Sequence, residues 1–533
     1  MDRLKKFSTK KNWLILLVST LLIFIYRSDV VMFKSIDFIV FKSGGYINLR
    51  EQRNIVMHTV DKLNPLKGEI WNRSFKIPEI NINFSKDDIK HFEEVISKAK
   101  QSSTYAFYMP NEINESLNTN IQINNRVYKS EVKIHGTNNP HFNDDKKSYS
   151  IKIRNKDEQE YPFGIRRFAL IIPNQSNHIA IFTYRVAEML GMVAPKNFLV
   201  RLNINGIDQG VYHLEEKLNK TLLERNGMSG YDVVRSDDSW AHQYSDNHGT
   251  IFSFDYSGIQ PGYTSGRDLN QNVITKELLN SEDINFIKNN INIDKFIKYD
   301  LLRYIFGDSG HMTSNDNIKF LYNTSNGRLE PYFRIENHIV EIQPNKLTYS
   351  PERHVNIGAF SSNKLLSNLT RDDTYRNLRN RELYKILMQE EKILDIYKDV
   401  IETNLPVLLN DTTNILPSRY FRYESNKAYN DLKSNFIFLK KYLDYSRVFV
   451  EILKETKNSY DLIIKPDSNS PIKSESFSLI VDSKHIGEKV SVIDPHNNSI
   501  TDLIINSDIG GRGVIDIQNL IGKYDYSLGL DKD

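Results

Sequence analysis

Residues 198–216, FLVRLNINGIDQGVYHLEE, leave the chain little choice of fold. Asn205-Gly206 sits between two apolar runs. An Asn-Gly pair in that position is the strongest short-range signal for a tight β-hairpin, because both central residues of the favoured turn take positive φ. The hairpin spacing favours an antiparallel sheet as the framework of this region. A second glycine follows at 210, and two adjacent acids, Glu215 and Glu216, close the second strand. What a strand gains from a pair of carboxylates is the question the rest of the chain has to answer.

The neighbouring texture agrees with a mixed sheet-and-helix domain. From Ile77, IPEININF alternates apolar and polar residues, as a half-buried strand does. In SKDDIKHFEEVISKAK, Ser85 is an N-cap with Asp88 three positions on, and Ile89, Phe92, Val95 and Ile96 form one helical stripe. IQINNRVYKSEVKIHG reads as two strands around an Asn-Asn turn at 124–125, and SYSIKIR continues the strands. IAIFTYRVAEMLGM is a helix with Gly191 near its end. Residues 275–306 are mostly helical. IKFLYN and LEPYFRIE, at 318–323 and 329–336, form a second hairpin with Asn326-Gly327 in its loop. Residues 364–456 are helical again, with Pro406 as an interruption. The last ~75 residues alternate as strands do and predict a small β domain. The whole is an α+β chain. No solenoid-type repeat or long low-complexity tract is present.

Composition narrows the functions. A chain of 533 residues holds about two to four domains. With 70 basic and 67 acidic residues it has no global pull towards nucleic acid, and no nucleic-acid partner is expected. Without cysteine it has no disulfide framework, cysteine–zinc site or thiol nucleophile. The N-terminus MDRLKKFSTKKN precedes the apolar run WLILLVSTLLIFIY at 13–26, a basic flank before a hydrophobic stretch. No small-x-small cleavage site follows Tyr26, so an uncleaved signal anchor is favoured over a cleaved signal. The expected layout is a cytoplasmic basic tail at 1–12 and a membrane anchor at 13–33. A tether follows at 34–76, then a main extracytoplasmic domain at 77–456 and a β-rich domain at 457–533.

The usual catalytic signatures are missing: no phosphate-binding GxxxxGK[ST] loop, GxGxxG, HExxH or GxSxG occurs. What remains is a set of lysines, acids and turns. KIHGTNNPHFNDDKKSYSIKI, residues 133–153, places a loop bearing Gly136 ahead of Lys146 and Lys147, which begin a strand. A lysine beside such a loop can hold phosphate oxygens while loop amides do the rest; an ordinary solvated turn is the alternative. FGDSGHMTSNDNIKFLYN, residues 306–323, sets Asp308, Asp316 and Asn317 in a polar loop between helix and strand. An Asp and an Asn there suit a catalytic base and a magnesium ligand, since magnesium prefers oxygen; turn chemistry is the alternative. Glu336 ends the next strand, where a further metal carboxylate can sit or a solvated acid can simply face water.

Together, and in this order, these motifs resemble the CotH family of spore-coat-type atypical protein kinases. The likeness runs from about Ile77 to Tyr442. It rests on IPEININFSKDDIKHF, the Gly136 loop with its Lys-Ser-Tyr, GMVAPKNFLVRLNINGIDQGVYHLEEKLNK and DSGHMTSNDNIKFLYN. The resemblance implies a kinase-like antiparallel sheet plus a helical lobe, ATP with Mg2+, and phosphoryl transfer to Ser/Thr hydroxyls of a Ser/Thr-rich protein substrate. It implies that Glu216 pairs with a phosphate-gripping Lys147, with Gly136 also at the nucleotide. Asp308 becomes the catalytic acid that aligns the hydroxyl, with Asp316 its competitor. Asn317 and Glu336 become the metal ligands, with Asp316 a third candidate. Glu336 stands where the family usually has Asp. The expected protein is a membrane-tethered kinase of the bacterial envelope. The alternatives are a non-catalytic envelope interaction protein on the same scaffold and a transferase acting on envelope polysaccharide.

Overall fold

A computed structural model describes residues 77–101, 109, 113–136, 141–142, 146–154, 161–236, 259–263, 277–278, 281–307, 319–334, 338–342, 364–411, 413–414, 418–444, 446–455, 460–468, 473–481, 487, 489–494, 499–504, 506–507, 513–521 and 526–530. Among these residues no helix is long and apolar enough to cross a membrane; the expected tail, anchor and tether, residues 1–76, lie outside them. The fold is α+β, and the chain divides into two units. Unit 1 comprises Met1–Lys276, Asp308–Val340 and Lys392–Leu432; unit 2 comprises Glu277–Gly307, Glu341–Glu391 and Lys433–Asp533.

In unit 1 the strands are β1 (Glu79–Ile82), β2 (Leu117–Ile123), β3 (Arg126–Ile134), β4 (Tyr149–Ile153), β5 (Arg167–Ile171), β6 (Asn197–Ile204), β7 (Ile207–Glu216), β8 (Tyr231–Ser236), β9 (Ile259–Tyr263), β10 (Lys319–Asn323) and β11 (Arg328–Tyr332). Among the described residues its first helices are α1 (Lys86–Gln101), α2 (His178–Met189) and α3 (Lys220–Arg225). The sheet that the sequence predicts as antiparallel closes into a barrel in the order β1-β2-β3-β4-β5-β7-β6. The closing seam is parallel, pairing Ile80 with Leu202 and Ile82 with Ile204. Closure removes the unpaired edges that an open sheet presents.

Turn chemistry fixes the register. Asn124 and Asn125 both take positive φ between β2 and β3, as do Asn205 and Gly206 between β6 and β7. Asn205 does a second job. Its side chain accepts from the Phe84 amide at 2.7 Å and donates to the Phe84 carbonyl at 3.0 Å, tying the hairpin tip to the end of β1. The α1 cap is as read, with the Ser85 amide donating to Asp88 at 2.9 Å and the Asp88 amide to Ser85 Oγ at 3.1 Å. The apolar stripe of α1 is shifted from expectation. Phe92, Val95, Ile96 and Ala99 are buried, whereas Ile89 is 39% exposed.

The barrel interior is filled by alternate residues of each strand, among them Val132, Ile134, Tyr149, Ile151, Phe168, Leu170 and Leu214. Helix α2 is buried along most of its length and is capped by Asn177, whose side chain accepts from the Ile179 amide. A second sheet in the order β11-β10-β8-β9 carries the predicted hairpin, whose β10 and β11 pair Lys319 with Tyr332.

In unit 2 lie α4 (Ile284–Asn290), α5 (Ile293–Phe306), α6 (Lys364–Arg371) and α7 (Asp373–Leu387). Helix α8 (Glu390–Asn410) belongs to unit 1 from Lys392 onward, and α9 (Ser418–Asp444) contributes residues to both units. Pro406 does not interrupt the helix as predicted; it lies inside α8, four residues from its end. Proline at that place removes its own N–H donor, and the buried Val407 and Leu408 hold the last turn in place. Strand texture begins at Ser446 rather than after residue 456: β12 (Ser446–Glu455) leads into β13 (Tyr460–Ser468), β14 (Lys473–Val481), β15 (Lys489–Asp494), β16 (Ser499–Ile504), β17 (Asn506–Ser507), β18 (Gly513–Ile521) and β19 (Tyr526–Leu530). They form two sheets, β12-β13-β19-β15-β16 and β14-β18-β17.

Candidate active site

Strand alternation sends the two carboxylates of β7 to opposite faces. Glu216 shares parity with Leu214 and ends the core-facing side. Its side chain is fully buried and takes both Arg225 guanidinium nitrogens, at 2.7 and 2.5 Å, while the Lys196 amide donates to it at 3.1 Å. The resemblance pairs Glu216 with Lys147; among the described residues its partner is Arg225. A fork-to-fork ion pair with the helix that follows the strand is the better solution for a desolvated carboxylate, because both oxygens are satisfied at once.

Glu215 goes the other way. Register places Lys133 of β3, Ser150 of β4, Ala169 of β5 and Glu215 of β7 side by side across the outer face of the barrel. The adjacent row holds Glu131, Lys152 and Arg167, and Lys217 joins it through a 2.8 Å bond from its amide to the Arg167 carbonyl. Lys217 Nζ donates to Ser150 Oγ at 2.7 Å, and His135 Nδ1 meets the same hydroxyl at 3.0 Å. Ser148 repeats the motif one step along, with His141 Nδ1 at 3.1 Å and the Ile172 amide donating to its Oγ. The two imidazoles stack edge to face at 5.2 Å.

This patch is crowded with positive charge. Loss of hydration and the nearby Arg167, Lys319 and Lys133 pull the Lys217 pKa down to about 7, against the pull of Glu215 in the other direction. His135 is held well below its ordinary value by burial and then by Lys217, His141, Arg334 and Lys319. Burial, with Arg334 and Lys217, brings His141 to about 4. Burial pushes the Glu215 carboxyl up, opposed by Arg334, Lys319 and Lys217 and by a hydrogen bond from Tyr184. Glu215 Oε2 is buried with no hydrogen-bond partner among the described residues. Because folding lowers the Lys217 pKa, the native protein binds fewer protons than the unfolded chain between pH 7 and 10.5. This group's penalty is therefore full below pH 7 and relieved as pH rises through that window. Urea midpoints measured from pH 6.5 to 9 should rise more steeply for the native sequence than for Lys217→Met; parallel lines refute the effect.

The remaining candidates from the sequence are placed as follows. Gly136 has φ +78, and a Cβ there would lie 2.3 Å from the His141 ring, so the loop needs glycine to let that ring fold over it. Lys146 is buried in a structural role. It meets Asp411 at 3.4 Å and Thr413 Oγ1 at 3.3 Å, with its ammonium 4.8 Å from the centre of the Tyr212 ring. Asp411 also accepts from the Val211 amide at 2.9 Å, and Thr413 donates to the Gln209 carbonyl at 2.8 Å. Lys147 is half-buried and lies two positions before β4. Asp308, Asp316, Asn317 and Glu336 lie outside the described residues. Asn317 precedes Lys319 by two positions, and Glu336 follows Arg334 by two. Among the described residues no group of three or more His, Asp or Glu is placed to hold a metal ion. Sequence reasoning missed Lys217, Lys319 and Arg334 and gave Glu215 no role of its own. The signal for the pair on β7 was present: His213, Glu215 and Lys217 share one parity of a strand whose other parity carries Tyr212 and Leu214.

With this geometry in place, comparison with known proteins gives the class. The CotH kinase protein family matches residues 132–434, more than half of the chain, from the end of β3 through the barrel strands that follow it. The chain belongs to the CotH kinase family. No curated protein matches it. Among solved structures it is similar to the Shewanella oneidensis MR-1 toxin–antitoxin complex of HipA, HipB and operator DNA. That match has 14% identity and a TM-score of 0.26, and it covers 52% of this chain and 60% of that one.

Proposed function

We propose that the protein is a CotH-type kinase that transfers the γ-phosphate of ATP to Ser/Thr hydroxyls of a protein substrate, tethered by residues 13–33 with its main domain facing outward. The observation that carries this reading is the family match over residues 132–434, a span that contains Lys147, Lys217, Asp308, Asn317 and Glu336. The cationic face of β3, β4, β5 and β7 supports a polyphosphate substrate, because gathered cations are stabilised by an anion that neutralises them. In the transfer, the acceptor oxygen bonds to the γ-phosphorus as the bond from that phosphorus to the β–γ bridging oxygen breaks. ADP leaves, and the hydroxyl proton passes towards the Asp308 carboxylate and on to water. Asn317 and Glu336, with Asp316 as the competing carboxylate, supply the oxygen ligands that magnesium prefers. Orientation and electrostatic clamping provide most of the rate, as suits a loose phosphoryl transition state.

The test is transfer of labelled phosphate from ATP with magnesium to a Ser-rich protein, by the full chain in detergent. Asp308→Ala should lower the rate by about a hundredfold or more; equal labelling removes Asp308 from the mechanism. A non-catalytic envelope protein on the same scaffold is the second reading, favoured by Glu336 where the family usually carries Asp. It predicts that ATP and magnesium leave the wild-type labelling assay blank whatever stands at 308.

A further inference from the structure

We propose that Lys217, not Lys147, is the lysine that grips the phosphates, with Glu215 as its positioning carboxylate on a phosphate-binding wall formed by the outer face of β3, β4, β5 and β7. The assignment rests on the kinase reading and names the surface on which that reaction's anionic substrate is held.

Three observations converge on it. The first is register: Lys133, Ser150 and Glu215 lie in one row and Arg167 and Lys217 in the next, all on the same face, with Lys319 and Arg334 close enough to act on the same groups. The second is the use of the alternatives. Lys146 is committed to Asp411 and Thr413, and Glu216 to Arg225. Lys147 is half-buried and lies two positions outside β4, so the strand register does not carry it onto this face. The third is charge. The field of the surrounding cations outweighs Glu215 at the Lys217 ammonium, the condition in which a polyanion is drawn in most strongly. The two histidines, kept neutral here, add ring N–H groups without adding to the repulsion.

Glu215 fits the positioning role that the resemblance gave to Glu216. It sits two residues from Lys217 on the same side of the strand, and one of its oxygens is buried and unpartnered among the described residues. Ser150 holds the lysine head group at 2.7 Å before any ligand arrives. A bound triphosphate adds negative charge at the ammonium and restores its proton. Binding near neutral pH should therefore take protons up from solution.

Isothermal titration of the full chain with magnesium–ATP and with inorganic tripolyphosphate at pH 7.5, in buffers of different ionisation heat, tests this. Lys217→Met should weaken both ligands about tenfold or more, the loss expected for one charge-assisted hydrogen bond. Lys217→Arg should retain most of the affinity, and Lys385→Met, whose lysine is held by Glu382 at 2.9 Å on α7, should change nothing. The wild type should take up protons on binding, and Lys217→Met should not. If Lys217→Met binds ATP as the wild type does, or Lys147→Met alone loses it, the assignment to Lys217 falls and the kinase reading stands. Absence of proton uptake by the wild type overturns the assignment without any variant. If the wild type binds tripolyphosphate through Lys217 but not ATP, the kinase reading falls and the phosphate wall stands. If it binds neither, both fall.

Discussion

Gly210→Ala should cost about 4 kcal/mol of stability in unit 1, far more than the same change at Gly206. Both glycines have positive φ, +73 and +76, so both variants bear the roughly 1–2 kcal/mol of a left-handed residue with a Cβ. They differ in what the new methyl meets. At Gly206 nothing lies within 4 Å; at Gly210 the Cβ would fall 1.9 Å from Thr413 Oγ1 and 2.3 Å from Asp411 Oδ1. Neither neighbour can swing aside cheaply. Asp411 holds the Lys146 ammonium and the Val211 amide, and Thr413 holds the Gln209 carbonyl. Side-chain exposures of 5% for Lys146 and 1% for Asp411 mean that pushing the carboxylate away strands a buried ammonium, a loss of about 3–5 kcal/mol when a buried pair is broken outright. Hydrogen exchange at the Val211 amide and urea midpoints for the two variants decide the matter. Equal costs at 206 and 210 would mean that the contacts with 411 and 413 contribute nothing.

The second large effect is expected in unit 2. Asp300 of α5 carries two guanidinium groups: Arg303 Nη2 at 2.8 Å on one oxygen and Arg379 Nη1 of α7 at 3.4 Å on the other. Arg379 also donates to the hydroxyls of Tyr304 at 3.3 Å and Tyr442 at 2.9 Å. All three charged side chains are buried, with exposures no higher than 1%. Asp300→Ala removes a buried carboxylate that two buried guanidinium groups share. The expected loss is about 5 kcal/mol, at the upper end for breaking a buried pair, because both arginines lose the same partner. Replacing all three charges with apolar residues of similar size should recover most of it, since a well-packed apolar core matches or exceeds a buried ion network. Differential scanning calorimetry of the single and triple variants checks both halves, and a single variant that melts within a degree or two of the native protein refutes the first.

Local chemistry was legible in the sequence and long-range geometry was not. Asn124-Asn125, Asn205-Gly206 and the Ser85–Asp88 cap each specify backbone angles within four residues, and each is found where it was read. Barrel closure depends on β1 lying parallel to β6, residues about 120 positions apart, and no short window carries that information. Ile89 satisfies helical spacing and is still exposed, because the stripe that packs starts one turn later at Phe92. The candidate site shows the same division. The sequence singled out the Lys146–Lys147 stretch and the Glu215–Glu216 pair, but which lysine is structural depends on Asp411, some 265 positions away. The alignment of Ser150 with Glu215 is a register across three strands, and a single sequence shows the strands without showing the register.

The division of labour along β7 makes this strand unusually intolerant of changes in length. Inserting or deleting one codon between Val211 and Glu216 would swap the faces of everything after it. Glu215 would turn towards the barrel core, Glu216 would lose Arg225 and face the lysine-rich surface, and Lys217 would leave Ser150. Such a lesion would strike folding and phosphate binding together, so reading-frame-preserving indels in this short stretch should be among the least recoverable in the gene.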